Sequence, residues 1–374
     1  MINRKVVFAT HTNSSFAREV KQNVSDYFRE RQLSTKADAS MALKSVLMTV
    51  LTFGPYGLML SNRYEPWTML ILAILMGIGF AGMGFCIGHD AHHGAYSSNP
   101  KINELLGLSY DILGANSYLW KLTHNSIHHI YTNVTGIDED ILVVDPVVRL
   151  SPGSKRYWHH RFQHYYAWIV YSLATINWVF GKDFRYILLK QLGPYQDIQH
   201  SRFEIWKLIG FKSFHLTWSL VIPLIVIDLP VTQIIFGYLV VHLVAGWILG
   251  VVFQLAHVVE AAKFVTPDQD GRIDEDWIAH QMSTTANFAT HNNLLTWYIG
   301  GLNYQIEHHL FPRICSVHYP RVRNIVEETA RRHGLPYHCY PTVRAVMAAH
   351  FRTLKTHGIS DEARHAVPIA DAAV

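Results

Sequence analysis

"TMLILAILMGIGFAGMGFCIGHDAHHGAY", residues 68–96, runs uncharged from Thr68 to Gly88 and then sets His89, His92 and His93 around Asp90. A helix crosses a bilayer with about 20 apolar residues, so the stretch reads as a transmembrane helix with imidazoles at its exit. A second uncharged run, "SVLMTVLTFGPYGLML" (45–60), precedes it across the short "SNRYEPW", and the two form a hairpin. Further along, "LTWSLVIPLIVID" (216–228) and "IIFGYLVVHLVAGWILGVVFQLA" (234–256) repeat the arrangement across "LPVTQ". The expected fold is therefore an all-α integral membrane protein with four transmembrane helices in two hairpins, at about 44–61, 67–88, 213–229 and 232–255.

Composition agrees. The 374-residue chain is 49% apolar and 16% charged, against roughly 25% charged in a typical soluble domain. Its net charge of +4 is modest, and no lysine–arginine block is dense enough for a nucleic-acid groove. Cys86, Cys315 and Cys339 are far apart, which supports neither a disulfide framework nor a thiolate zinc site. Arg4, Lys5, Arg18, Lys21, Arg29, Arg31 and Lys36 precede the first span, whereas the two short turns hold only Arg63. Positive residues stay inside, so the N-terminus is expected in the cytosol, and four crossings return the chain there.

Residues 1–43 form a cytosolic segment in which Phe16, Val20, Val24, Tyr27 and Phe28 share one helix face, to lie against the membrane or a cap. The alanine-rich tail over 357–374 is expected to be poorly ordered. Two aromatic-rich stretches, 105–120 and 165–181, are apolar enough to be ambiguous. A single extra crossing at 165–181 would put His257, His308 and His309 on the opposite side from the first two clusters, so both are read as interfacial helices beneath a cytosolic, histidine-rich cap.

The chain has 24 histidines, and three groups share a spacing. "HDAHH" carries His89 and His93, "HNSIHH" carries His124, His128 and His129, and "QIEHH" carries Gln305, His308 and His309. Residues four apart lie on one helix face, where two imidazoles can reach one metal ion. A lone histidine is ordinarily structural, but three matched clusters are not, and so many nitrogen donors exceed the needs of one metal. Imidazole suits iron, zinc, copper and nickel alike, so spacing leaves the metal open. Asp90, Asp138, Asp140, Glu260 and Glu307 stand near the clusters, as carboxylates do that fix the second ring nitrogen of a ligating histidine. His280 is a further ligand or supporting residue, while His159, His160 and His164 read as surface or packing residues.

These three boxes resemble those of the membrane fatty acid desaturases, and the glutamine-led third box is similar to that of the front-end branch, including bacterial linoleoyl-CoA desaturase-like proteins. "WKLTHNSIHHIYTNVTGIDED", "HQMSTTANFAT" and "GGLNYQIEHHLFP" extend the likeness across about residues 40–345, so that 44–356 would be the desaturase domain. The resemblance implies a non-haem di-iron centre at the cytosolic face that uses O2 and two electrons to insert a cis double bond into an acyl chain. It implies His89, His93, His124, His128, His129, His308 and His309 as iron ligands, with His257 after the last span as one more. Gln305 replaces a histidine of other branches and would bind directly or through water, and His92 is an extra imidazole that competes with His93. The substrate would be an acyl-CoA or a phospholipid acyl chain, in an apolar tunnel with Trp120, Asn125, Lys182 and Arg185 near its head group. An H-P-G-G haem motif of a fused cytochrome b5 domain is missing from the sequence, so electrons would come from a separate ferredoxin or cytochrome b5 with its reductase, and a bacterial inner membrane is expected. Two rivals share the histidines: a di-iron hydroxylase or alkane monooxygenase, and a histidine-rich metal transporter. Transport ligands belong at mid-membrane depth, where only His242 lies.

Overall fold

A computed structural model describes residues 6–9 and 14–360. Arg4 and Lys5 of the basic N-terminal set, and the tail from residue 361, lie outside the described residues. Residues 357–359 belong to the last helix, which runs Val343–Ile359.

Among the described residues four helices are long and apolar enough to cross a membrane: α2 (Ala39–Leu60), α3 (Pro66–His92), α4 (Arg202–Val226) and α5 (Val231–His257), after the N-terminal α1 (Ser14–Glu30). Glycines let the spans approach closely. A Cβ on Gly79 would lie 2.6 Å from the Leu51 backbone of α2, and one on Gly77 would lie 2.8 Å from the Val241 carbonyl of α5. Small residues at helix contacts are how spans pack where lipid offers no hydrophobic drive. At the far ends the two turns are tied together, because the Asn62 side chain donates to the Val226 carbonyl (2.7 Å) and accepts from the Asp228 amide (2.9 Å).

The helix that holds the third candidate span begins at Arg202, upstream of the expected boundary at 213, with the charge of Lys212 inside it. Lys212 is buried, and its ammonium donates to the carbonyls of Gly114 and Trp178 (2.6 Å each) and to Asp183 (2.5 Å). A charge with this many acceptors is tolerated where an unpaired one is not.

Neither ambiguous stretch forms a span. Residues 105–120 are broken after Ile112, where Gly114 takes φ +90°, and resume as Ser117–Trp120. The other is split into Gln163–Ser172 and Ala174–Asn177.

The cap closes over the histidine ends of the spans. Phe16, Val20, Val24 and Phe28 of α1 are buried against Val322, Val326 and Ala330 of Tyr319–Arg332. Glu19 binds Arg332 (2.6 Å) and His333 (2.7 Å) along the same seam. The apolar face of α1 is therefore spent on the cap, not on the bilayer. Two short parallel strand pairs, Val7–Phe8 with Arg272–Ile273 and Asn287–Phe288 with Cys339–Tyr340, stitch the cap loops.

Candidate metal centre

Four segments deliver the histidines. His89 and His93 leave the end of α3, His257 is the last residue of α5, and His308 and His309 ride on Gln305–Leu310. His124 and His128 lie on Lys121–His128, with His129 following. Both Gly84–His89 and Lys121–His128 are wound as π-turns, a widened winding often found at functional sites.

All eight imidazoles are buried, and they gather into two adjoining groups. His89, His93, His124 and His308 offer ring nitrogens within 4.8 Å of one another, and so do His128, His257 and His309. His129 stands between them, its ring centroid 4.3 Å from His309 and 4.6 Å from both His93 and His308. His89 and His93, four apart, lie in the same group. His124 and His128, also four apart, join different groups, although with Asp140 they form a further set, as His129 does with His308 and His309.

The unused nitrogens point one way. Seven of the eight, in His93, His124, His128, His129, His257, His308 and His309, have an Nε2 that is buried without any hydrogen-bond partner. Such lone pairs are costly unless something binds them. The other ring nitrogen is often engaged. Nδ1 of His124 is 2.8 Å from Asp140, and Nδ1 of His128 is 2.9 Å from Asp138. Nδ1 of His308 is 3.1 Å from the Tyr319 hydroxyl, and Nδ1 of His309 is 2.8 Å from Oε1 of Gln281. A carboxylate or amide oxygen only accepts, which puts the proton on Nδ1 and leaves Nε2 free to ligate.

Electrostatics reinforce this. Burial first, then neighbouring imidazoles, holds His93, His124, His129, His308 and His309 below the usual imidazole range, in the neutral form that metals bind. Burial depresses His128 too, but Asp138 outweighs it and the net direction is up.

A cavity of about 440 Å³ lies among the four spans, but the larger one, about 640 Å³, opens onto the histidines. Its walls are mostly apolar, with Phe85, Val252 and Phe253 leading to His89, His124 and His308. Trp120 stacks on His124 at 4.3 Å and forms part of the wall, while Gln305, Lys182 and Arg185 also line it. Gln305 donates to the Leu302 carbonyl at 2.8 Å.

Several expected site residues lie elsewhere. His92 turns away from both groups, packing onto Gly107 and Tyr110, because the helix end can aim only one of two adjacent imidazoles inward. His280 is 2.8 Å from the Thr132 carbonyl and joins no ligand group among the described residues. Glu260 is drawn outward into an ion pair with Arg352 at 2.7 Å, so it supports no histidine. Glu307 accepts from Tyr337 (2.7 Å) and Asn287 (2.8 Å), bracing the third box rather than holding an imidazole; burial raises its pKa to about 7. Asn125 donates to the His92 carbonyl and does not line the cavity. Asp90 is 3.5 Å from His89 but is chiefly an acceptor for Ser316 and Cys315.

Sequence reasoning missed Gln281, Tyr319 and Asn133. Asn133 is buried and donates to the His257 carbonyl at 2.8 Å, while its amide N–H is held by Asp138 at 2.9 Å. It thereby joins the second histidine segment to the end of α5. Gln281 follows His280 directly, and its polarity in a buried stretch was the available signal. Nothing in the local sequence marked Tyr319. His242 of α5 is 3.1 Å from Thr175 Oγ1, its ring centroid is 5.4 Å from that of the buried His215 of α4, and neither belongs to a ligand group among the described residues.

The profile of the family described as fatty acid desaturase matches residues 65–341. The sn-1 linoleoyl-lipid 6-desaturase of Synechocystis sp. is 38% identical over 92% of this chain and 95% of its own. A protein of the same name from Arthrospira platensis is 35% identical over 93% and 94%. An acyl-lipid (8-3)-desaturase of Physcomitrium patens is 33% identical over 95% of this chain and 74% of its own. With the convergent histidines, the apolar cavity and this likeness over nearly its whole length, the chain belongs to the fatty acid desaturase family.

Proposed function

We propose that each histidine group holds an iron ion and that the chain introduces a cis double bond into the acyl chain of a membrane lipid. The observation that carries this is the convergence of seven buried, unpartnered Nε2 atoms beside an apolar cavity. His89, His93, His124 and His308 would hold one ion, and His128, His257 and His309 the other, with His129 between them. Gln305 completes the set directly or through water. Bound there, the iron pair would supply, with O2 and two electrons, the strong oxidant that an unactivated methylene requires and no side chain provides.

The chain's own residues do the rest. Asp140 and Asp138 keep the proton of His124 and His128 at Nδ1, and Gln281 does the same for His309. The apolar wall from Phe85 to Phe253 excludes water and lays a hydrocarbon chain against His89, His124 and His308. Relatives named as acyl-lipid desaturases favour a lipid-borne chain over a coenzyme A thioester. The cap, the histidines and the N-terminus would face the cytosol of a bacterial inner membrane. A separate ferredoxin, or cytochrome b5 with its reductase, would deliver the electrons.

The test is fatty acid analysis by gas chromatography and mass spectrometry of a desaturase-poor host supplied with linoleate. A new, more unsaturated acid that vanishes with His128→Ala is the expected result. A hydroxylated acid would move the assignment to a hydroxylase, and purified protein holding zinc instead of iron would overturn the di-iron reading.

A further inference from the structure

The cavity of about 440 Å³ among the spans shares no lining residue with the one that reaches the histidines. Ala73, Met76 and Phe80 of α3, Trp218 of α4 and Val241 of α5 form its walls, and Leu229 marks its end at the far turn. No charged side chain and no cysteine lines it. Most of its polar groups are satisfied within the protein. The Tyr56 hydroxyl donates to the Trp218 carbonyl (2.5 Å), the Trp218 indole to the Ile112 carbonyl (3.1 Å) and the Ser219 hydroxyl to the His215 carbonyl (2.6 Å).

Tyr238 and His242 are the exceptions. They line the cavity one turn apart on α5, with ring centroids 4.5 Å from each other. The Tyr238 hydroxyl is buried and has no hydrogen-bond partner. The Thr175 hydroxyl gives its one hydrogen to the His242 carbonyl (2.8 Å), so towards Nδ1 of His242 (3.1 Å) it can only accept. The proton of that imidazole is therefore on Nδ1, and its Nε2 is a bare acceptor with no partner among the described residues. His215, behind it, is set the same way, because its Nδ1 donates to the Ile112 carbonyl (3.0 Å) and leaves no N–H for His242. A donor and a bare acceptor thus meet one cavity from adjacent turns, and leaving both unmet is costly.

We propose that this cavity binds an uncharged lipid alcohol, whose hydroxyl accepts from Tyr238 and donates to Nε2 of His242 while its hydrocarbon tail runs past Trp218 toward Leu229. A hydroxyl is the simplest group that both accepts and donates. Depth argues against charge. His242 lies about 16 Å along α5 from its start, near the middle of a hydrocarbon core about 30 Å thick. A phosphate or carboxylate is expensive there, and the cavity holds no cation to receive it. A lone water satisfies the same two atoms but leaves the apolar length of the cavity unfilled. The site is separate from the histidine centre and does not rest on the reaction proposed above.

The experiment photolabels the full-length protein in nanodiscs with a diazirine-bearing dodecanol, locates the label by mass spectrometry, and competes it with dodecanol, dodecyl methyl ether or dodecane. Wild type is expected to take up the label saturably within 69–80 or 234–242. Dodecanol should displace it about three- to tenfold better than the ether, which accepts from Tyr238 but has nothing to donate to His242, and dodecane should be weakest. Tyr238→Phe should weaken dodecanol by a similar factor. Without alcohol its thermal midpoint should equal or exceed that of wild type, since the deleted hydroxyl bonds nothing in the protein. Gly237→Leu, whose added Cβ meets nothing within 4 Å at the cavity wall, should abolish labelling in a protein that still folds. Equal displacement by alcohol and ether, or labelling unchanged in either variant, overturns the proposal. So does a destabilised Tyr238→Phe, which would give the hydroxyl a structural role, and so does the absence of saturable labelling, which would leave water alone in the cavity. None of these readouts needs iron or turnover, so failure here and failure of the desaturase reading are distinguishable.

Discussion

The Asp140 carboxylate stands 2.8 Å from Nδ1 of His124 and fixes that ring's proton on the edge facing away from its unpartnered, buried Nε2. Asp140→Asn keeps the shape and removes the charge. Iron affinity should fall by about 10- to 100-fold, read as iron per chain after dialysis against a graded chelator, with desaturation falling alongside. Full iron retention in the variant would show that His124 needs no such support.

Gln281 plays the equivalent part for His309 with a neutral amide, and it also accepts from Thr132 at 2.9 Å. Gln281→Ala should cut desaturation by roughly tenfold with the protein still folded, whereas Gln281→Glu, which retains an acceptor oxygen, should recover part of it. A comparison of turnover at equal iron occupancy separates positioning from simple metal loss. Equal activity in all three proteins would remove Gln281 from the site.

The close approach of α3 to its neighbours gives a stability prediction. A valine at Gly79 would push atoms into the Leu51–Thr52 backbone, already 2.6 Å from an added Cβ. Overpacking of this kind costs about 1–3 kcal/mol, so Gly79→Val should lower the thermal midpoint in detergent by several degrees. Gly57→Ala, which meets nothing within 4 Å, is the control that should leave it unchanged.

Asp111 predicts a pH dependence. It is fully buried, and desolvation raises its pKa to about 6 from the ordinary 3.8, with Lys207 pulling the other way. The folded state then holds the proton more tightly than the unfolded chain, so stability is greatest below about pH 4 for this group and declines as pH rises through 6. Asp111→Asn removes the decline. The variant should gain roughly 2–3 kcal/mol at pH 7, with a thermal midpoint that is flatter between pH 5 and 7. A variant less stable than wild type at pH 7 would contradict this.

The spans and the histidine boxes were legible because both are local patterns: an uncharged run, or imidazoles at fixed spacing. What was illegible depended on partners distant in the chain. Lys212 looked like a boundary of the third span because its neutraliser, Asp183, lies in another segment. Glu260 looked like a histidine support because it follows His257 by one turn, yet the chain bends there and Arg352 takes it. His92 and His93 are adjacent and chemically identical, and only the packing of Gly107 against His92 decides which one turns inward. Tyr319 and Asn133 reach their histidines through tertiary contacts that no spacing encodes.

The seam between α1 and Tyr319–Arg332 has a consequence for biosynthesis. Glu19 cannot meet Arg332, nor His89 meet His308, until the ribosome has made nearly the whole chain. The spans can insert one hairpin at a time, but the histidine chamber has no roof until the last cap segments emerge and fold back over it. Loading of the proposed iron ions would therefore follow insertion of the spans rather than accompany it.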